Sequence, residues 1–173
     1  MGSPTKNILQ KMSKAPKMIV FDLDYTLWPF WCDTHITPPL HRENGHVYGA
    51  DGRRVQTYPD SPTILRMIHE DPRIKLACAS RTEASKIANT ILRLLDWEKF
   101  FDYKEIYPGS KTQHFKVFRE LSGIPYEDML FFDDEDRNTR EISRLGVHCC
   151  LVPDGMSLDV FERALKQFSQ TSN

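Results

Sequence analysis

Four short apolar runs punctuate the chain, and the first three stop on a polar residue. Residues 17–21 (KMIVF) end before Asp22, residues 75–79 (KLACA) before Ser80, and residues 129–132 (MLFF) before Asp133. Residues 148–152 (HCCLV) complete the set. Runs this short, rich in β-branched and aromatic side chains, predict buried strands. Between them the apolar positions recur at helical spacing. Ser61 followed by Pro62 reads as an N-cap with proline at the first helical position, and Ile64, Leu65 and Ile68 share one face. Ile87, Ile91, Leu94 and Leu95 line a second helix; Phe115, Phe118 and Leu121 line a third, closed by Gly123. Ile142 and Leu145 lead to Gly146, and Phe161, Leu165 and Phe168 mark a final helix.

Strands alternating with helices imply βαβ units: a three-layer, Rossmann-like α/β fold with a mostly parallel central sheet. In such sheets ligands bind beyond the carboxyl ends of the strands. Asp22, Ser80 and the Asp133–Asp134 pair are therefore expected to face one crevice. Residues 28–58 interrupt the alternation with prolines, Gly45, Gly49, Gly52 and short alternating runs at 46–48 and 55–58. They predict a small β-hairpin flap in place of a cap domain. The expected organisation is a tail over 1–16, one domain over 17–169 carrying the flap, and a tail over 170–173.

Composition narrows the function classes. A chain of 173 residues is long enough to bury a real core. A net charge of −1 gives no basic surplus for nucleic acid, and no acidic excess that would repel phosphorylated substrates. No apolar run reaches membrane-spanning length, and residues 1–17 carry lysines without the apolar centre of a secretory signal. Cys32, Cys78, Cys149 and Cys150 form no C-x-x-C pair and no zinc-like spacing, which suits a reducing compartment. A monomeric cytoplasmic protein with no nucleic-acid or membrane partner is expected.

Four constellations carry chemistry. Asp22, Asp24 and Thr26 form D-x-D-x-T directly after a strand. Two carboxylates held together repel, which favours a shared proton or a divalent cation, and magnesium suits one or two carboxylates plus a substrate oxygen. Taken alone, a D-x-D is more often a turn. Asp133 and Asp134 again end a strand, followed by Glu135, Asp136 and Asn138. Because adjacent residues point apart there, Asp134 is expected to bind the metal and Asp133 to orient it. Ser80 and Arg81 could seat a phosphate through a hydroxyl, backbone N–H groups and a guanidinium; a plain helix cap is the bland alternative. Lys111 follows a Pro-Gly-Ser turn at a helix start, where a cation is unfavourable unless something anionic holds it.

The order nucleophile strand, Ser, Lys, acidic pair resembles the haloacid dehalogenase superfamily, from Lys17 to Phe168. The chain is most similar within it to the eukaryotic magnesium-dependent phosphatase family, through FDLDYTLWPFW (21–31), ASRT (79–82), IYPGSK (106–111) and FFDDEDRN (131–138). The acidic motif departs from the commoner G-D-x-x-x-D. The resemblance implies a magnesium-dependent hydrolase of phosphate monoesters that passes through an aspartyl-phosphate. Asp22 would be nucleophile and metal ligand. Asp24 would be acid and base, lending its backbone carbonyl to the metal. Ser80, Lys111 and the Leu23 N–H would hold the phosphoryl group, and Asp134 would complete the metal site. It also implies phosphorylated proteins (phosphotyrosine) or fructosamine-type sugar phosphates as substrates, with Trp28, Phe30 and Trp31 as candidate flanks for an aromatic leaving group or as flap packing. A receiver-type signalling domain and a non-catalytic phosphate-binding module compete. The first would place its acceptor aspartate after the third strand; the second would be expected to lack Asp22 or Asp24.

Overall fold

The computed structural model describes residues 9–171. Five parallel strands form the central sheet in the order β5-β4-β1-β6-β7. They are β1 (Met18–Phe21), β4 (Lys75–Ser80), β5 (Tyr103–Ile106), β6 (Met129–Asp133) and β7 (His148–Leu151). Alternate residues serve opposite faces. Ile19, Phe21, Leu76, Cys78, Leu130 and Phe132 enter one core, and Met18, Val20, Ala77, Ala79, Met129 and Phe131 the other. A strand apolar on both faces must be covered twice. Helices α2 (Ser61–Glu70), α3 (Ser85–Leu94) and α6 (Leu158–Ser169) cover the first face, through Ile64, Ile91 and Phe161 among others. Helices α4 (Lys111–Ser122) and α5 (Asp136–Ser143) cover the second, through Phe115, Phe118 and Ile142. The three layers match the expected fold class.

The chain runs from β1 to β4 and β5 on one side, then returns to β6 and β7 on the other. Strand order therefore reverses between β1 and β6, which opens the crevice where α/β sheets bind ligands. Asp22 and the Asp133–Asp134 pair lie at the ends of those two strands.

Several expectations need correction. The flap is a hairpin whose strands are β2 (His41–Glu43) and β3 (His46–Tyr48), and Val55 adds one backbone bond to it, its N–H donating to the Val47 carbonyl at 2.8 Å. Asn44 and Gly45, at φ 51° and 80°, make the two-residue turn that a right-handed twist favours. Residue 54 contributes only an isolated bridge to Tyr48. The flap's expected start is also too early, because Trp28, Phe30 and Cys32 are buried in the core. A short helix α1 (Cys32–His35) precedes the hairpin. Leu121 is 65% exposed rather than on the buried face of α4. The Ser61 hydroxyl donates to the Leu27 carbonyl instead of capping α2. The stretch read as an amino-terminal tail is placed from Leu9 onward. Leu9 is buried in the core, and the Arg73 guanidinium donates to the Leu9 and Met12 carbonyls. The part of that stretch before Leu9, and residues 172–173 of the other tail, lie outside the described residues. Among the described residues no helix is long and apolar enough to cross a membrane.

Candidate active site

A crevice of about 370 Å³ opens at the carboxyl ends of the strands. Asp22, Asp24, Ser80, Arg81, Thr82 and Lys111 line it, with Trp31 and Glu135 toward its rim. Asp22 and Ser80 share this crevice, whereas Asp133 and Asp134 do not line it but cluster with Asp22 beside it.

Asp22 continues β1, its N–H donating to the Phe132 carbonyl at 3.0 Å. The chain then turns sharply. Thr26 and Leu27 both donate backbone N–H groups to the Leu23 carbonyl, and Tyr25 adopts φ 57°. This turn places the Thr26 hydroxyl 3.0 Å from Asp22 Oδ2, so the threonine of D-x-D-x-T orients the first aspartate. The Leu23 side chain is buried under the loop.

Lys111 is 1% exposed, an extreme position for a lysine. Its Nζ donates to Asp22 Oδ1 at 2.8 Å and to Asp133 Oδ2 at 2.7 Å. Burial pulls the ammonium pKa down, but the two carboxylates outweigh it by charge and hydrogen bond, leaving it raised. The lysine expected to need an anionic partner at its helix start thus has two.

Asp133 is fully buried, and both its oxygens are engaged: Oδ2 by Lys111, Oδ1 by the Glu135 N–H at 2.9 Å. Asp134 is only half-buried, with the Thr26 hydroxyl at the outer limit of hydrogen bonding, 3.5 Å from Oδ1. Its carboxyl is pushed up by burial and by the neighbouring Asp22. One oxygen each of Asp22, Asp133 and Asp134 lie within 4.8 Å of one another. A cluster of hard oxygen donors with excess negative charge has the chemistry of a magnesium site.

Asp24 points elsewhere. Its Oδ1 accepts from the Trp28 indole N–H at 2.8 Å and the Cys32 N–H at 3.2 Å. Burial raises its pKa even against these bonds. Two carboxylates two residues apart therefore occupy distinct environments, one paired with an ammonium and one desolvated. Such separation is how acid and nucleophile roles divide between like groups.

Ser80 is buried, its Oγ accepting from the Thr82 N–H at 3.2 Å. The Arg81 guanidinium reaches Asn138 Oδ1 at 3.4 Å through Nη1, while its Nε is buried without a partner. Sequence reasoning missed His114. Burial lowers its pKa, and its Nε2 lies 2.9 Å from the carbonyls of both Ser80 and Tyr107, so it ties the end of β4 to α4. A histidine on a helix face carries no spacing that would announce this.

The Acid Phosphatase family matches over residues 14–171. Over 160 residues the chain is 44% identical to Magnesium-dependent phosphatase 1 of Homo sapiens, covering 92% of this chain and 90% of that protein. Over 149 residues it is 43% identical to a HAD-like hydrolase superfamily protein of Schizosaccharomyces pombe, covering 79% and 86% respectively. Among solved structures, the N-terminal part of a Bacteroides fragilis protein, containing a phosphatase domain and complexed with Mg, superposes with a TM-score of 0.65. That likeness covers 90% of this chain and 40% of the other at 13% identity, and is one of fold.

Proposed function

The chain belongs to the Acid Phosphatase family of the haloacid dehalogenase superfamily, and from that membership we propose that it is a magnesium-dependent phosphatase acting through an aspartyl-phosphate on Asp22. The observation that carries the reading is the division of the two carboxylates. Asp22 is buried beside Lys111 in an oxygen-rich cluster, and Asp24 is held apart, half-buried against the Trp28 indole N–H.

Asp22 and Asp134 would hold magnesium by carboxylate, with the Asp24 backbone carbonyl as a further ligand. Asp133 is better suited to orienting the site, since Lys111 and the Glu135 N–H occupy its oxygens. Bound there, the ion would offset the negative charge that keeps a carboxylate from approaching an anionic phosphate. Lys111 supplies the same neutralisation from the protein side. Ser80, the Leu23 N–H and the orphaned Nε of Arg81 are the donors proposed for the phosphoryl oxygens and the rest of the substrate. Asp22 then attacks phosphorus in line. Asp24, whose hold on its proton burial strengthens, would give a proton to the leaving oxygen and afterwards take one from the water that displaces Asp22 from phosphorus.

For the substrate, Trp31 now separates from its neighbours. Trp28 and Phe30 are buried, whereas Trp31 is 49% exposed on the crevice wall, packed edge-on against Tyr25 and stacked on His35. This supports an aromatic leaving group such as phosphotyrosine; fructosamine-type phosphates are the second substrate class. All four cysteines are free, which supports a reducing compartment such as the cytoplasm.

The test is a panel of aryl, alkyl and sugar phosphate esters assayed with magnesium, calcium or chelator. Turnover that requires magnesium and fails with calcium is expected, because looser coordination misplaces the nucleophile. Turnover in chelator, or none on any ester, would remove the reading.

A further inference from the structure

Trp28 is fully buried, yet the one polar atom of its side chain is spent on the carboxyl group proposed above as acid and base. The indole stacks on Phe30 at 5.3 Å and 4° and on Trp97 at 6.3 Å and 20°, so its plane is set by other rings. The loop brings it to Asp24. Tyr25, in its left-handed conformation, donates its N–H to the Trp28 carbonyl at 2.7 Å, and Asp24 and Trp28 form an isolated bridge. The indole N–H then meets Asp24 Oδ1 at 2.8 Å, beside the Cys32 N–H at 3.2 Å. Two donors on one oxygen define the carboxyl plane. Among the described residues the other oxygen, Oδ2, has only the Cys32 thiol at 3.6 Å, a weak donor that also lies 3.4 Å from the Thr82 hydroxyl.

We propose that Trp28 is a positioning residue for Asp24: its stacked indole holds Oδ1 so that Oδ2 is the oxygen that exchanges a proton with the leaving group and water. This rests on the reading of Asp24 as acid and base. The alternative is that Asp24 merely satisfies a buried indole N–H, as buried tryptophans generally require. The two differ in what happens when the N–H is removed and the ring is kept. A carboxyl that swings free loses proton-transfer geometry, and that loss shows only when the leaving group needs its proton.

The test compares kcat and KM for an alkyl phosphate and nitrophenyl phosphate at saturating magnesium, in wild type, Asp24→Asn, Trp28→Phe and Trp97→Phe. Trp28→Phe is expected to lower kcat for the alkyl ester on the order of 10- to 100-fold, with KM little changed and the nitrophenyl ester much less affected. Trp97→Phe disturbs the same stack without removing a donor to Asp24, and is expected to leave the ratio of the two rates as in wild type. Equal slowing of both esters in Trp28→Phe, or none, overturns the proposal. Equal slowing of both in Asp24→Asn removes the acid–base reading itself, and the role of Trp28 with it. If Trp28→Phe does not fold, benzothienylalanine at position 28 keeps the ring shape without the N–H, and the same ratio decides.

Discussion

Lys111 is enclosed with its ammonium between Asp22 and Asp133, and removing one member of such a cluster leaves uncompensated buried charge. Lys111→Ala is expected to cost about 3–5 kcal/mol in urea unfolding without magnesium, and less with it. Because its pKa is raised, the lysine's stabilising contribution is complete below the ordinary value of 10.5 and fades as pH climbs through the folded value. Asp24 has the same sign, at the acid end of the scale. Its folded pKa is raised above 3.8, so the native state holds its proton more tightly than the unfolded chain does. Its contribution therefore declines as pH rises from that value. Melts compared from about pH 4 to about pH 8 should show wild type losing ground to Asp24→Asn, while the variant loses turnover of alkyl esters. The adjacent acids should also part. Asp134→Asn is expected to raise the magnesium requirement with the fold intact, whereas Asp133→Asn should lower stability first, because it breaks the lysine pair. A larger magnesium shift for Asp133→Asn in parallel titrations would reverse these roles. The positions of Asp22, Ser80, Lys111 and the acidic pair were legible because each sits at a strand end or a helix start, and that of Asp24 because it lies two residues beyond one. Trp28 and His114 were not, since their partners are set by how loops close rather than by local pattern.

Gly155 shows how an element is locked in place. It follows β7 at φ 79°, and a Cβ there would meet the Tyr58 ring at 2.2 Å. Tyr58 closes the flap, its N–H donating to the Leu27 carbonyl at the base of the nucleophile loop. Gly155→Ala is expected to cost more than about 1 kcal/mol in urea unfolding and to disturb turnover, because both the backbone and the ring must shift. An unchanged unfolding midpoint would mean that the flap root accommodates the ring elsewhere. The central strands could be read because they are apolar on both faces. Strand β5 could not: three residues of its sequence YKEI are part-exposed and two of those are charged, as an edge position allows. Strand β2, HRE, is exposed throughout and offers no alternation, so the Asn44–Gly45 turn is the local signal that marks it.

At the scale of the whole molecule, strand order places chemistry from four distant parts of the sequence in one crevice. Residues 22 and 111 meet across 89 positions, and residues 111 and 133 across 22. A parallel sheet reversing between β1 and β6 requires such a meeting, so the crevice followed from the alternation of elements, while the burial of Lys111 and the division of labour between Asp133 and Asp134 needed coordinates. The central claim is that Asp22 carries the phosphoryl group. Rapid acid quench during turnover of a phosphorus-labelled monoester with magnesium, followed by peptide mapping, tests it most directly. The account predicts hydroxylamine-sensitive label on the peptide containing Asp22 and none in Asp22→Asn. Label on Ser80 or on a cysteine, or near-wild-type turnover by Asp22→Asn, would contradict it.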